Sequence, residues 1–92
     1  MKNQIRRVVI IGAGIAGLAA AIRLAKKGFA VRVLEAGSQP GGKMSEIRKE
    51  GFRFDTGPSL FTLPHLVEEL LEEKLSSKYH KLNLITRYFW ED

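Results

Sequence analysis

Residues 10–17 read "IIGAGIAG", and the fold turns on what their three glycines are for. They lie in an uncharged run, residues 8–22, held between Arg7 and Arg23. A small-residue packing segment would look the same, so the neighbours must decide. Before the glycines, "RRVVII" is β-branched and apolar at both parities, the pattern of a strand buried on both faces as in a parallel sheet. After them, residues 15–27 are rich in Ala and Leu, with Leu18, Ile22 and Ala25 at helical spacing. Lys26 and Lys27 close the last turn and Gly28 caps it. "AVRVLE", residues 30–35, reads as a second strand. Strand, helix and strand in about thirty residues predict a right-handed βαβ crossover over 6–35.

In that setting each glycine of Gly12-Ala13-Gly14-Ile15-Ala16-Gly17 has a separate task. Gly12 permits the tight strand-to-helix turn, Gly14 lets a pyrophosphate approach the backbone, and Gly17 lets the helix pack close to the sheet. The helix N-terminus offers N–H groups and the positive end of its dipole to phosphate. Glu35 ends the second strand eighteen residues after Gly17, where a carboxylate can accept hydrogen bonds from a ribose diol. Glycines, strand, helix and acid agree on dinucleotide binding.

NAD and FAD share these features, and an NAD-dependent dehydrogenase module is the alternative. The following residues separate the two. "EAGSQPGGK", residues 35–43, places a Gly-Gly pair and a cation just after the acid. It resembles the second glycine signature of the flavoprotein superfamily that contains amine oxidases and carotenoid desaturases. "GFRFDTGPSLFTLPHLVEEL", residues 51–70, is similar to the corresponding segment of phytoene desaturases and related carotenoid dehydrogenases. The resemblance covers residues 6–71, and "RYFWED" at 87–92 resembles the start of that family's substrate domain. Lys43 departs from it, standing where arginine is common, which keeps the charge and loses bidentate geometry.

The resemblance implies an α/β fold, the N-terminal βαβ part of a Rossmann-like FAD-binding domain with a short β-hairpin and an amphipathic helix. It implies FAD as cofactor and a lipophilic polyene as substrate, desaturated or isomerised by the whole enzyme. Gly12, Gly14, Ile15 and Ala16 would hold the pyrophosphate, and Glu35 the adenosine ribose. Gly42, Lys43, Gly57 and Pro58 would approach the flavin side, and Ala13, Ala36 and Ser59 complete the cofactor-binding set. No catalytic acid–base pair is evident, and Asp55 reads as a turn former.

Along the rest of the chain, residues 36–62 form a glycine-rich loop and a hairpin turning at Glu50-Gly51. Residues 63–75 predict a helix starting near Pro64, with Leu63, Leu66, Val67, Leu70 and Leu71 opposite four glutamates. Those glutamates disfavour a membrane-facing helix, so Leu66, Val67, Leu70 and Leu71 are expected inside the protein. Residues 81–90 read as a last strand leading toward a substrate domain, with a turn-like pair at Glu91-Asp92.

Composition narrows the remaining classes. The 92 residues carry fifteen Lys and Arg against ten Asp and Glu, a net charge of +5. The basic residues come in small groups without aromatic interleaving, which excludes nucleic acid as the expected partner. A pyrophosphate or an anionic membrane surface would use the same excess. There is no cysteine, and His65 and His80 stand alone, so neither a disulfide framework nor a metal site is indicated. The run 8–22 is too short to span a bilayer comfortably, and its glycines argue against a signal peptide. A cytoplasmic location with peripheral membrane contact is the expectation. Only one βαβ unit is visible, so the chain reads as an N-terminal segment of a longer enzyme, non-catalytic and self-associating when alone.

Overall fold

The computed structural model describes residues 4–91; Lys2 and Asp92 lie outside the described residues. Two units are distinguished, Met1–Ser59 and Leu60–Asp92. In the first, β1 (Arg7–Ile11), α1 (Ile15–Lys26) and β2 (Ala30–Leu34) form the crossover. β1 and β2 pair in parallel, with Arg7 opposite Ala30 and Ile11 opposite Leu34. The Gly12 N–H donates to the Leu34 carbonyl at 2.6 Å, carrying the ladder one step beyond β1.

Gly12 has φ +97°, a conformation that favours glycine, and it turns the chain from β1 into α1. Gly17 answers to space instead. A Cβ there would collide with the Gly12 carbonyl oxygen and stand 3.4 Å from Ile10 Cγ2. Helix and turn are therefore in backbone contact. Arg23 and Lys26 occupy the last turn, where cations favour the helix dipole, and Gly28 donates to the Ala25 carbonyl at 3.0 Å.

Period-2 alternation places Val8, Ile10, Val31 and Val33, all half-buried, on the face toward α1. The opposite face is bare: Val9 is 58% and Ile11 88% exposed. This corrects the expectation of a strand buried on both faces. Apolar residues at both parities call for two covering layers, and the described residues provide one. Ala13, at the turn, is the single buried apolar residue described.

β3 (Glu46–Lys49) and β4 (Phe52–Asp55) make an antiparallel hairpin, with Glu46 opposite Asp55 and Lys49 opposite Phe52. Both turn residues have positive φ, Glu50 at 51° and Gly51 at 82°, as a two-residue type I′ turn requires. One face carries ion pairs, with Arg53 and Arg48 both on Glu46 at 2.8 and 2.6 Å. The other carries Ile47, Phe52 and Phe54, the two rings stacked with centroids 6.4 Å apart.

In the second unit α2 spans Pro64–Leu71, shorter than the expected 63–75. Glu72 adopts a left-handed conformation and ends the helix. The Glu68 side chain then accepts the Leu75 N–H at 2.8 Å, closing the following turn. Leu66 is 52% and Leu71 41% exposed, whereas Val67 and Leu70 are half-buried. The expectation that all four pack inside is thus corrected, because among the described residues of this unit no second helix or strand covers the apolar face.

Residues 81–90 form no strand, which corrects the expectation of a last strand there. A strand is defined by its ladder partner, and the described residues of this unit contain none. Tyr88 and Trp90 instead stack on each other with centroids 6.3 Å apart.

Candidate functional site

The site assembles where three backbone segments meet. The first is the turn 12–14, ending in Gly14 at the N-cap of α1 with φ −74°. Helix geometry leaves the first-turn N–H groups without intrahelical acceptors, and no side chain caps them. The first turn also carries no acidic residue. These donors are available to an anion.

The second segment is Gly41-Gly42-Lys43. The Gly41 N–H donates to the Ala13 carbonyl at 2.7 Å, docking this loop on the first. A Cβ at Gly42 would lie 3.1 Å from Gly14 Cα, tighter than ordinary contact, and Gly42 itself has φ +60°. The double glycine thus brings one backbone against the other, with no room for a side chain between them.

The third segment is Asp55 to Pro58. A Cβ at Gly57 would collide with the Lys43 carbonyl oxygen, and the Thr56 N–H donates to the Ser45 carbonyl at 3.0 Å. Gly57 is therefore needed by the protein's own backbone, whatever else it meets.

Together these segments border an open cleft of about 600 Å³. Gly12, Gly14, Ile15 and Ala16 line it from the first loop, Gly42 and Lys43 from the second, and Pro58 from the third. Ala13, Glu35, Ala36, Gly57 and Ser59 are not part of its wall. Ile11, Gly41 and Met44 line it without having been singled out from the sequence as site residues. Gly41 carried a signal in its place within Pro-Gly-Gly. Met44 carried none.

Glu35 is not part of the wall but braces the first glycine loop against the start of the second. Its Oε1 accepts the Ala13 N–H at 2.9 Å and its Oε2 the Gly37 N–H at 2.9 Å. The Gly37 bond, then the Ala13 bond, hold its carboxyl below the usual glutamate value. Each oxygen keeps a further lone pair, so the group can still accept hydrogen bonds from a ligand.

The arrangement fits a dinucleotide. A Cβ at Gly12 or Gly14 would meet nothing within 4 Å, so the space beside both is free for a ligand. The free N–H groups of the first helical turn could receive a phosphate, and Lys43 is the one cation among the described lining residues. Among the described residues no group of His, Asp or Glu could hold a metal ion.

The chain matches the family described as NAD(P)-binding Rossmann-like domain over residues 10–73. It is 50% identical over 91 residues to the 1-hydroxycarotenoid 3,4-desaturase of Flavobacterium sp. (strain P99-3), covering 95% of this chain and 19% of that protein. It is 52% identical over 64 residues to the neurosporene-forming phytoene desaturase of Rhodobacter capsulatus, covering 70% and 12%. Among solved structures, an oxidoreductase from Methanosarcina mazei superimposes with a TM-score of 0.53 at 38% identity, over 58% of this chain and 13% of that one. The chain spans less than a fifth of the length of the two carotenoid desaturases. It belongs to the NAD(P)-binding Rossmann-like family, and the two curated relatives it matches here are carotenoid desaturases.

Proposed function

We propose that these residues are the FAD-binding segment of an oxidoreductase that desaturates or isomerises a long, lipophilic polyene. The observation that supports FAD is the docking of Gly41-Gly42-Lys43 on the first glycine loop, through the 2.7 Å bond from the Gly41 N–H to the Ala13 carbonyl. A nicotinamide site assigns that second loop no task. The polyene is supported by the names of the relatives, both carotenoid desaturases.

In this reading the backbone at Gly12, Gly14, Ile15 and Ala16 binds the pyrophosphate. Glu35 accepts from the adenosine ribose, with Ala13 and Ala36 beside it. Gly42, Lys43, Pro58 and Ser59 lie toward the flavin, and Gly57 leaves room for the Lys43 carbonyl. Bound flavin supplies the acceptor for a hydride from a substrate C–H bond, and the chain's part is to orient it and exclude water.

The absorption spectrum of the complete reading frame carrying these residues, purified and titrated with FAD and with NADH, is the test. Bound flavin gives a yellow protein. A colourless protein that retains NADH and rejects FAD would replace this reading with the nicotinamide one favoured by the family's description.

A further inference from the structure

The positive charge of this chain is segregated. Residues 1–34 contain seven Lys and Arg and no Asp or Glu, a net of +7, whereas residues 35–92 contain eight basic and ten acidic residues, a net of −2. Topology concentrates the first group further. β1 and β2 are parallel and start at the same end, and α1, running back between them, finishes there. Arg6, Arg7, Arg23, Lys26 and Lys27 are all exposed at that end.

A bound pyrophosphate does not account for this charge. The glycine cradle lies at the opposite end, a helix of 12 residues away, or about 18 Å at 1.5 Å per residue. That exceeds the screening length of roughly 8 Å in physiological salt. Internal pairing does not account for it either. Arg6, Arg7, Arg23 and Lys27 enter no ion pair among the described residues. The C-terminal dipole of α1 offsets only about half a charge.

The surface around these cations is shallow and partly apolar. Arg6 and Lys27 share a depression of about 260 Å³ with Gln4, Gly28 and the half-buried Phe29. Beside Arg6, Ile5 is 71% exposed. No fully exposed aromatic ring stands among them to stack on a base, as single-stranded nucleic acid would need. Exposed aliphatic surface rimmed by Lys and Arg suits the headgroup boundary of a bilayer.

We propose that this basic end of the βαβ unit, formed by Arg6, Arg7, Arg23 and Lys27 around Ile5, docks on an anionic phospholipid surface. The choice of lipid rests in part on the reading of a lipophilic substrate above. Docking here would leave the cleft at the far end of α1 clear of the membrane.

Co-sedimentation of the 92-residue chain with vesicles tests this without flavin or polyene, so a failed cofactor titration leaves the result standing. The vesicles are phosphatidylcholine alone, or mixed with phosphatidylglycerol. One variant carries Arg6→Gln, Arg7→Gln, Arg23→Gln and Lys27→Gln. A control carries Lys74→Gln, Lys78→Gln, Lys81→Gln and Arg87→Gln, which removes the same net charge elsewhere. Circular dichroism confirms that both keep the wild-type helix content. The wild type should bind the anionic vesicles, weaken with salt and ignore the neutral ones. Each basic residue near such a surface contributes about fivefold, so the first variant should lose at least about tenfold and the control no more than about twofold. Equal losses in both variants, equal binding to neutral vesicles, or tighter binding to duplex DNA than to anionic vesicles would each overturn the proposal.

Discussion

The Glu35 carboxylate holds the Ala13 backbone N–H at 2.9 Å across 22 residues of sequence. With its other oxygen on the Gly37 N–H, it joins the end of β2 to the turn at residues 12–14 and to the start of the second glycine loop. Because these bonds lower the Glu35 pKa, their contribution is complete above the ordinary glutamate value. It is lost as pH falls through the lowered, folded value. In an NMR titration the Ala13 and Gly37 amide resonances should therefore move together, below the ordinary carboxylate range, and both movements should vanish in Glu35→Gln. An Ala13 amide indifferent to this titration would mean that no such brace exists.

Gly14→Val should abolish dinucleotide binding and leave the fold intact. Gly14 has an ordinary φ of −74°, and the space where its Cβ would stand is empty. A branched side chain there fills the cleft instead of straining the backbone. Calorimetric titration of FAD into the complete protein, beside an unchanged circular dichroism spectrum, checks both halves. Retained affinity would remove the phosphate role of the turn.

Much of this was legible because it is local. Gly12 needs a positive φ, Ala and Leu recur at helical spacing, and Glu50-Gly51 makes a two-residue turn. Each of these is decided within a few residues. What could not be read is long-range backbone contact. Nothing in the letters says that Gly41 donates to Ala13, or that Gly57 makes room for the Lys43 carbonyl. The place of Glu35 just after β2 was legible, but its hold on Ala13 was not, because a backbone N–H leaves no mark on the sequence. Residues 81–90 misled for the converse reason: β propensity was present and a ladder partner was not.

Gly57→Ala should destabilise the protein before any ligand is added. Its Cβ would displace the Lys43 carbonyl, and overpacking of this kind costs about 1–3 kcal/mol. Urea unfolding of the apoprotein reads the loss directly. If apoprotein stability were unchanged and only flavin affinity fell, Gly57 would be a contact of the cofactor and not of Lys43.

Leu66→Ala should cost little. Its side chain is 52% exposed, so the 2–5 kcal/mol typical of a buried leucine does not apply. A loss below about 1 kcal/mol in the same urea experiment is expected, in line with half the side chain being in water already. A loss of full core size would show that a covering layer reaches α2 in solution.

By itself the 92-residue chain should self-associate and turn over no polyene. The sheet has two strands, so each strand has one unpaired edge, and one whole face carries Val9, Ile11 and Leu34 in water. Unpaired edges beside exposed β-branched residues are templates for pairing with another copy. The cleft at the glycine loops is open, so a flavin ring placed there would meet solvent, without the dry, preorganised surroundings that hydride transfer from a polyene requires. Sedimentation velocity should show mass rising with concentration. Val9→Glu, which puts a charge on the bare face opposite Arg32, should lower it. Incubation with FAD, phytoene in liposomes and an electron acceptor should yield no flavin-dependent product. A monomer at every concentration would count against the edge argument, and any product above background would mean that a far smaller catalytic unit suffices than the length of the carotenoid desaturases implies.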